Sequence, residues 1–169
     1  MRRRVYPLVA VAVSLATIAI LTTPMSGEPQ EPPRAADATP VPYNPTMGDL
    51  MNLLIQPRHV KLWLAGQQEN WPLAAYALKE IRQSFIRVAA GVPHYNGAPV
   101  ADLIDTAMSE SMNLIDFTIK AGEPRQFREQ YAKLTAACNA CHVSTGHPYI
   151  VIKVPESAAF GNQEFEPKQ

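Results

Sequence analysis

The chain has 169 residues, 47% of them hydrophobic and 18% charged, with 15 basic side chains balanced by 15 acidic ones. That length suits one domain of ordinary size, and the even balance, without a basic stripe, excludes the electrostatic footprint of a nucleic-acid binder. With only two cysteines, a disulfide framework is excluded as well.

At the N-terminus, Arg2, Arg3 and Arg4 precede an apolar stretch, Leu8 to Leu21, interrupted only by Ser14 and Thr17. This is the layout of a signal peptide. Val5 to Leu21 is also close to the lower limit of about 17 residues for a membrane span, and Leu21-Thr22-Thr23-Pro24-Met25-Ser26-Gly27 offers no clean small-x-small cleavage site. Residues 1–27 are therefore expected to be either a cleaved signal or a retained anchor. Without them the chain holds 12 basic and 15 acidic residues, a formal charge of −3. The expected location is the periplasm, with a tether to the inner membrane if the segment is kept. Residues 28–45 carry Pro29, Pro32, Pro33, Pro40, Pro42 and Pro45 among polar residues, which predicts an extended linker.

From Thr46 to about Gly146 the apolar residues recur at helical spacing, and the breaks fall at proline and glycine. The first helix is predicted from an N-cap at Thr46 to about Asn70, with a kink or break at Pro57. Its apolar residues are Leu50, Leu53, Leu54, Ile55, Val60, Leu62 and Leu64. The second opens at Trp71-Pro72, where proline is permitted in the first turn, and runs to Gly91 with Ala74, Leu78, Ile81, Phe85 and Val88 in line. After the turn signal Asn96-Gly97, the third runs from near Pro99 to Ala121-Gly122. The fourth runs from Pro124 to near Gly146, and its stripe is Phe127, Tyr131, Leu134, Cys138 and Cys141. These elements predict an all-α, antiparallel up-down-up-down four-helix bundle over residues 46–146. Residues 147–169 form a C-terminal extension, with a β-branched run from Tyr149 to Val154 that suits an extended cover and a polar, loose remainder.

The fourth helix carries the most specific feature, Cys138-Asn139-Ala140-Cys141-His142. Two cysteines three positions apart, followed directly by histidine, form the attachment site of a c-type haem. Each thiol adds across one porphyrin vinyl group, and the adjacent imidazole then serves as the proximal iron ligand. One covalent haem c, bound by Cys138, Cys141 and His142, is the expected cofactor. Zinc would need Cys138, Cys141, His142 and a further ligand such as His147, whereas zinc sites usually draw on two well-separated ligand pairs. A thioredoxin-like pair belongs to a strand-helix alternation that is absent here. No nucleotide loop, serine triad or paired acidic motif speaks for an enzyme.

A haem motif on the last helix of a four-helix bundle resembles the class II c-type cytochromes, the cytochrome c prime family and its low-spin relatives. The resemblance implies an electron-transfer haem protein with redox donor and acceptor proteins as partners, and a homodimer is among the states it allows. Arg58-His59-Val60-Lys61-Leu62 is similar to a stretch of the family's first helix. By that match Leu62 walls an open distal site and Arg58, with Lys61 beside it, is a propionate partner. The chain departs from the family at Gly146, where a basic residue is common, at Pro57 and in its tail.

Three arrangements compete for the distal face of the iron: His59 as ligand, Met51 as ligand, or no protein ligand behind Leu62. The two donors lie eight residues apart, about 12 Å along a helix, so only one can stand at the haem. Flush antiparallel ends favour Met51, while the family register favours His59 or Leu62. A filled distal site implies an electron carrier, and an open one implies binding of nitric oxide or carbon monoxide. A third reading is a haem subunit docked through its apolar tail to a membrane redox complex. His94 and His147 are expected at the surface, and Trp63 and Trp71 around the porphyrin or in the core.

Overall fold

A computed structural model describes residues 44–157 and 160–167. The expected signal or anchor segment and the linker up to residue 43 lie outside the described residues. In chain order the elements are α1 (Met47–Leu50), a π-helical turn (Met51–Ile55), α2 (Gln56–Gln67), α3 (Trp71–Gly91), the short strands β1 (His94–Tyr95) and β2 (Ala98–Pro99), α4 (Val100–Ala121) and α5 (Pro124–Ser144). The described residues are thus all-α but for one two-residue strand pair. Among them α1, the π turn and α2 make one rod, and α3, α4 and α5 make three more.

Each rod begins and ends on local chemistry. The Thr46 hydroxyl accepts the Asp49 N–H at 3.1 Å, and the Asp49 carboxylate accepts the Thr46 N–H at 2.9 Å, a reciprocal capping box. Hydrogen bonds from the Thr46 hydroxyl and N–H hold the Asp49 carboxyl below its usual range. Asn70 caps α3 by accepting the Leu73 N–H at 3.2 Å. Asn96 and Gly97, both at positive φ (49° and 82°), make the tight turn that pairs Tyr95 with Ala98. Gly122 ends α4 in the left-handed conformation at φ 68°.

The break expected at Pro57 takes a defined form. Proline has no N–H for the carbonyl one turn back, and its ring crowds that turn. The rod widens just ahead of it, so that the Gln56 N–H bonds the Met51 carbonyl five residues back. The Arg58 guanidinium donates to the Leu54 carbonyl at 2.8 Å. This extra residue shifts the helix phase. The buried positions run Leu50, Ile55, His59, Leu62, Ala65 and Gly66, whereas uninterrupted α spacing would turn Leu54 inward after Leu50. Leu53, expected among the first helix's apolar face, is 63% exposed.

The contacts show alternating directions. Going up the first rod, Met51 shares a cavity with Cys138, Cys141 and His142, His59 bonds Thr135 and Tyr131, and Trp63 stacks on Phe127. Partners on α5 descend as those on the first rod ascend, so the two are antiparallel. Arg58 meets Glu80 at 3.9 Å while Gly91 lies beside Leu50, which orients α3 against the first rod. Arg82 donates to the Met112 carbonyl at 2.9 Å, while Phe85 and Ile104 face each other nearer the hairpin, so α4 runs against α3. This is the up-down-up-down order that short connections impose.

One end of the bundle is solid. Phe127 and Tyr131 are fully buried, with Trp63 stacked 6.3 Å from Phe127 and Trp71 edge-on at 5.9 Å. A Cβ on Gly66 would overlap the Phe127 ring, so glycine is required there for helix and ring to approach. The C-terminal segment reaches this end. Phe165 is buried in the core, and the Asn70 side chain donates to the carbonyls of Phe165 and Glu166 at 3.1 and 3.3 Å. The residues beyond Pro155 were expected to be loose; instead Phe160 lies under the Lys61 ammonium and Phe165 is anchored.

Candidate functional site

At the other end the four rods part around a mostly apolar cavity of about 350 Å³, within the size range of cofactor sites. Met47, Met51, Ile55 and His59 wall it on the first rod, Phe85 on α3, and Val100, Leu103, Ile104 and Met108 on α4. Cys138, Cys141 and His142 enter from α5, Tyr95 from the hairpin, and His147 and Ile150 to Ile152 from the chain after α5. The structure therefore brings both cysteines, the adjacent histidine and both distal candidates to one space. Leu62 is elsewhere: fully buried in the core and absent from the cavity wall. Arg58 is committed to Leu54 and Glu80, and Lys61 to Phe160, so neither lines the cavity. Trp63 and Trp71 belong to the solid end.

Burial keeps the cysteines as neutral thiols. It pushes Cys138 up to about 11, with a smaller push from Cys141, and raises Cys141 as well. Protonated sulfurs in an apolar wall do not suit thiolate coordination or disulfide exchange. Among the described residues, no three His, Cys, Asp or Glu side chains converge as a metal-ion site.

His142 is half-buried, and its Nδ1 lies 2.8 Å from the Ile150 carbonyl oxygen. A carbonyl only accepts, so Nδ1 carries a proton, and the one neutral tautomer that allows this has its lone pair on Nε2. That is the tautomer a metal-binding histidine needs, held by the backbone partner such ligands typically have.

His59 is differently placed. Its Nε2 lies 3.0 Å from Thr135 Oγ1 and its Nδ1 2.9 Å from the Tyr131 hydroxyl. The Tyr131 hydroxyl also reaches the His59 carbonyl at 2.8 Å, and Thr135 Oγ1 the Tyr131 carbonyl at 2.9 Å. Two proton arrangements with a neutral ring each make three of these four hydrogen bonds. In one, Nε2–H donates to Thr135 and the Tyr131 hydroxyl donates to Nδ1. In the other, Nδ1–H donates to Tyr131, whose hydroxyl donates to the His59 carbonyl, and Thr135 donates to Nε2. Both engage both ring nitrogens. Burial lowers the His59 pKa to about 4 and raises that of Tyr131, with a smaller contribution from Cys138, so both stay neutral. The partners of His59 on α5 lie seven or more residues before His142, at least about 10 Å along the helix. His59 thus meets the cavity as a wall, and Met51 lines it from the same rod.

His147, expected at the surface, is half-buried at the mouth. Its Nδ1–H donates to the Thr145 carbonyl at 3.0 Å, and its Nε2 accepts from the Tyr95 hydroxyl at 3.0 Å. His94 is exposed. Sequence reasoning did not single out Asn139, whose carboxamide bonds the backbone of Ile152 twice, at 2.9 and 2.8 Å. The signal available for it was its place inside the motif opposite the β-branched run. Among the described residues, no helix is long and apolar enough to cross a membrane. In comparisons with family models, curated proteins and solved structures, the chain matches none.

Proposed function

We propose that this chain is an exported c-type cytochrome, a single-electron carrier that would hold one haem covalently through Cys138 and Cys141 and bind its iron through His142 and Met51. The observation that carries the reading is the convergence of both thiols, an imidazole with its Nε2 lone pair free, and a thioether in one apolar cavity between helices. Bound there, haem would supply an iron that gains and loses one electron, with its potential set by axial ligation and burial. The chain's own part is to fix the His142 tautomer through Ile150 and to exclude water with the Met108, Ile104 and Phe85 wall. Redox proteins are the partners this implies. Arg58 and Lys61, engaged elsewhere, give no support for propionate binding, and the open gas-binding alternative loses its Leu62 wall.

The test is haem staining after denaturing electrophoresis of protein made in cells able to mature c-type cytochromes. The full chain is expected to stain, and the Cys138→Ala, Cys141→Ala double variant to lose the stain. An unstained full chain overturns the reading. Periplasmic recovery of the stained protein tests the export expected from residues 1–27.

A further inference from the structure

The segment after α5 has a property its composition does not explain. Ile150 and Val151 are 42% and 65% exposed, while Ile152 is half-buried and Val154 packs against the core, so side-chain burial holds the run only at alternate positions. It forms no strand with the β1–β2 pair. Its backbone is bonded by a turn on one side, with the Ile150 N–H on the His147 carbonyl at 3.0 Å, and by Asn139 on the other. The Asn139 carboxamide donates to the Ile152 carbonyl at 2.9 Å and accepts the Ile152 N–H at 2.8 Å, as a neighbouring strand would. Two residues back along this extended backbone, the Ile150 carbonyl stands 2.8 Å from His142 Nδ1.

We infer that Asn139 is a positioning residue for His142: by clipping Ile152 it presents the Ile150 carbonyl to Nδ1–H and so sets the donor strength of the proximal imidazole. This rests on the haem reading above. A carbonyl on Nδ1–H raises the basicity of Nε2, and a stronger donor favours the oxidised iron. Removing the clip frees the carbonyl, weakens the donor and favours the reduced form. Asn139 thus serves two ends: it stands between the two haem cysteines and reaches out of the motif to recruit the tail.

The experiment compares the full-length, haem-loaded protein with Asn139→Ala, which removes both bonds of the clip, and Ile152→Pro, which removes one of them from the other partner because proline has no N–H. Phe165→Ala, which loosens the far anchor of the same tail, is the structural control. Both clip variants are expected to shift the oxidised-to-reduced ratio at fixed ambient potential about tenfold toward reduced, a rise of about 59 mV for one electron. Phe165→Ala should lower the unfolding midpoint and leave the potential in place. Amide hydrogen exchange at Ile152, which needs no haem, should quicken in Asn139→Ala. Unchanged potentials in both clip variants overturn the inference, as does an equal shift in Phe165→Ala. Undiminished protection of Ile152 in Asn139→Ala overturns the clip itself. A full chain that fails the haem stain is a failure of the underlying reading, recognised separately because exchange at Ile152 still reports on the clip.

Discussion

The two ends of this bundle are built from the same helices and do opposite things. At the Trp71 end, Phe127, Tyr131 and Phe165 are buried with Trp63 packed against them, and Gly66 lacks a side chain where a ring comes in. At the His142 end the rods enclose a cavity walled by three methionines and the two cysteines. Stability is concentrated where aromatic area is buried. The proposed chemistry lies where packing gives way to a cavity, and the neutral His59, hydrogen-bonded at both ring nitrogens, marks the boundary between the two.

The largest effect should come from breaking the solid end. Phe127→Ala removes a ring that touches both tryptophans and is expected to cost about 3–5 kcal/mol in urea unfolding. A loss below about 1 kcal/mol would mean that this end is not the stability centre.

The boundary should be visible in pH. His59 titrates at about 4 in the fold and about 6.5 unfolded, so the unfolded chain binds the extra proton first. Stability from this group is full above pH 6.5 and is lost as pH falls through 4, by about 3 kcal/mol. The difference between wild type and His59→Gln, measured by denaturant unfolding from pH 7 to pH 4, isolates it from the carboxylates. Parallel curves across that range would contradict a neutral buried His59.

Gly66→Ala sharpens the contrast at smaller scale. Overpacking against Phe127 costs about 1–3 kcal/mol, against about 1 kcal/mol gained from alanine's helix propensity, so a net loss is expected where an exposed helical glycine would show a gain. Met51→Leu is the smallest in stability, below about 1.5 kcal/mol, because the cavity end tolerates a similar volume. Its readout is the near-infrared band of methionine-ligated ferric haem, which should vanish while the haem stain stays. A band that survives would assign the distal face to another donor.

Much of the molecule was legible in one dimension. Proline, glycine and caps marked the limits of the rods to within a few residues, since Thr46, Pro72, Gly122 and Pro124 act on their own turns. The Cys138, Cys141, His142 spacing pointed to its chemistry because attachment constrains neighbouring residues only. The distal side was harder to read. His59, Met51 and an open site behind Leu62 all compete in the sequence, and nothing local tells that Thr135 and Tyr131, 76 and 72 residues away, occupy both nitrogens of His59.

By itself, then, the sequence determined helix limits, the buried stripe of α3, the Phe127, Tyr131 and Leu134 part of the α5 stripe, and the residues proposed to take a covalent haem, all governed by interactions within a few turns. Tertiary structure decided the rest. The π turn ahead of Pro57 brought Ile55 and His59 inward, because the widened turn changes the phase of everything after it. Packing also separated the cavity wall from the core residue Leu62 and drew the tail back along the bundle to Phe165. The proton on His142 depends on a carbonyl eight residues away, held by a side chain inside the motif itself, a coupling that exists only once the chain has folded back on α5.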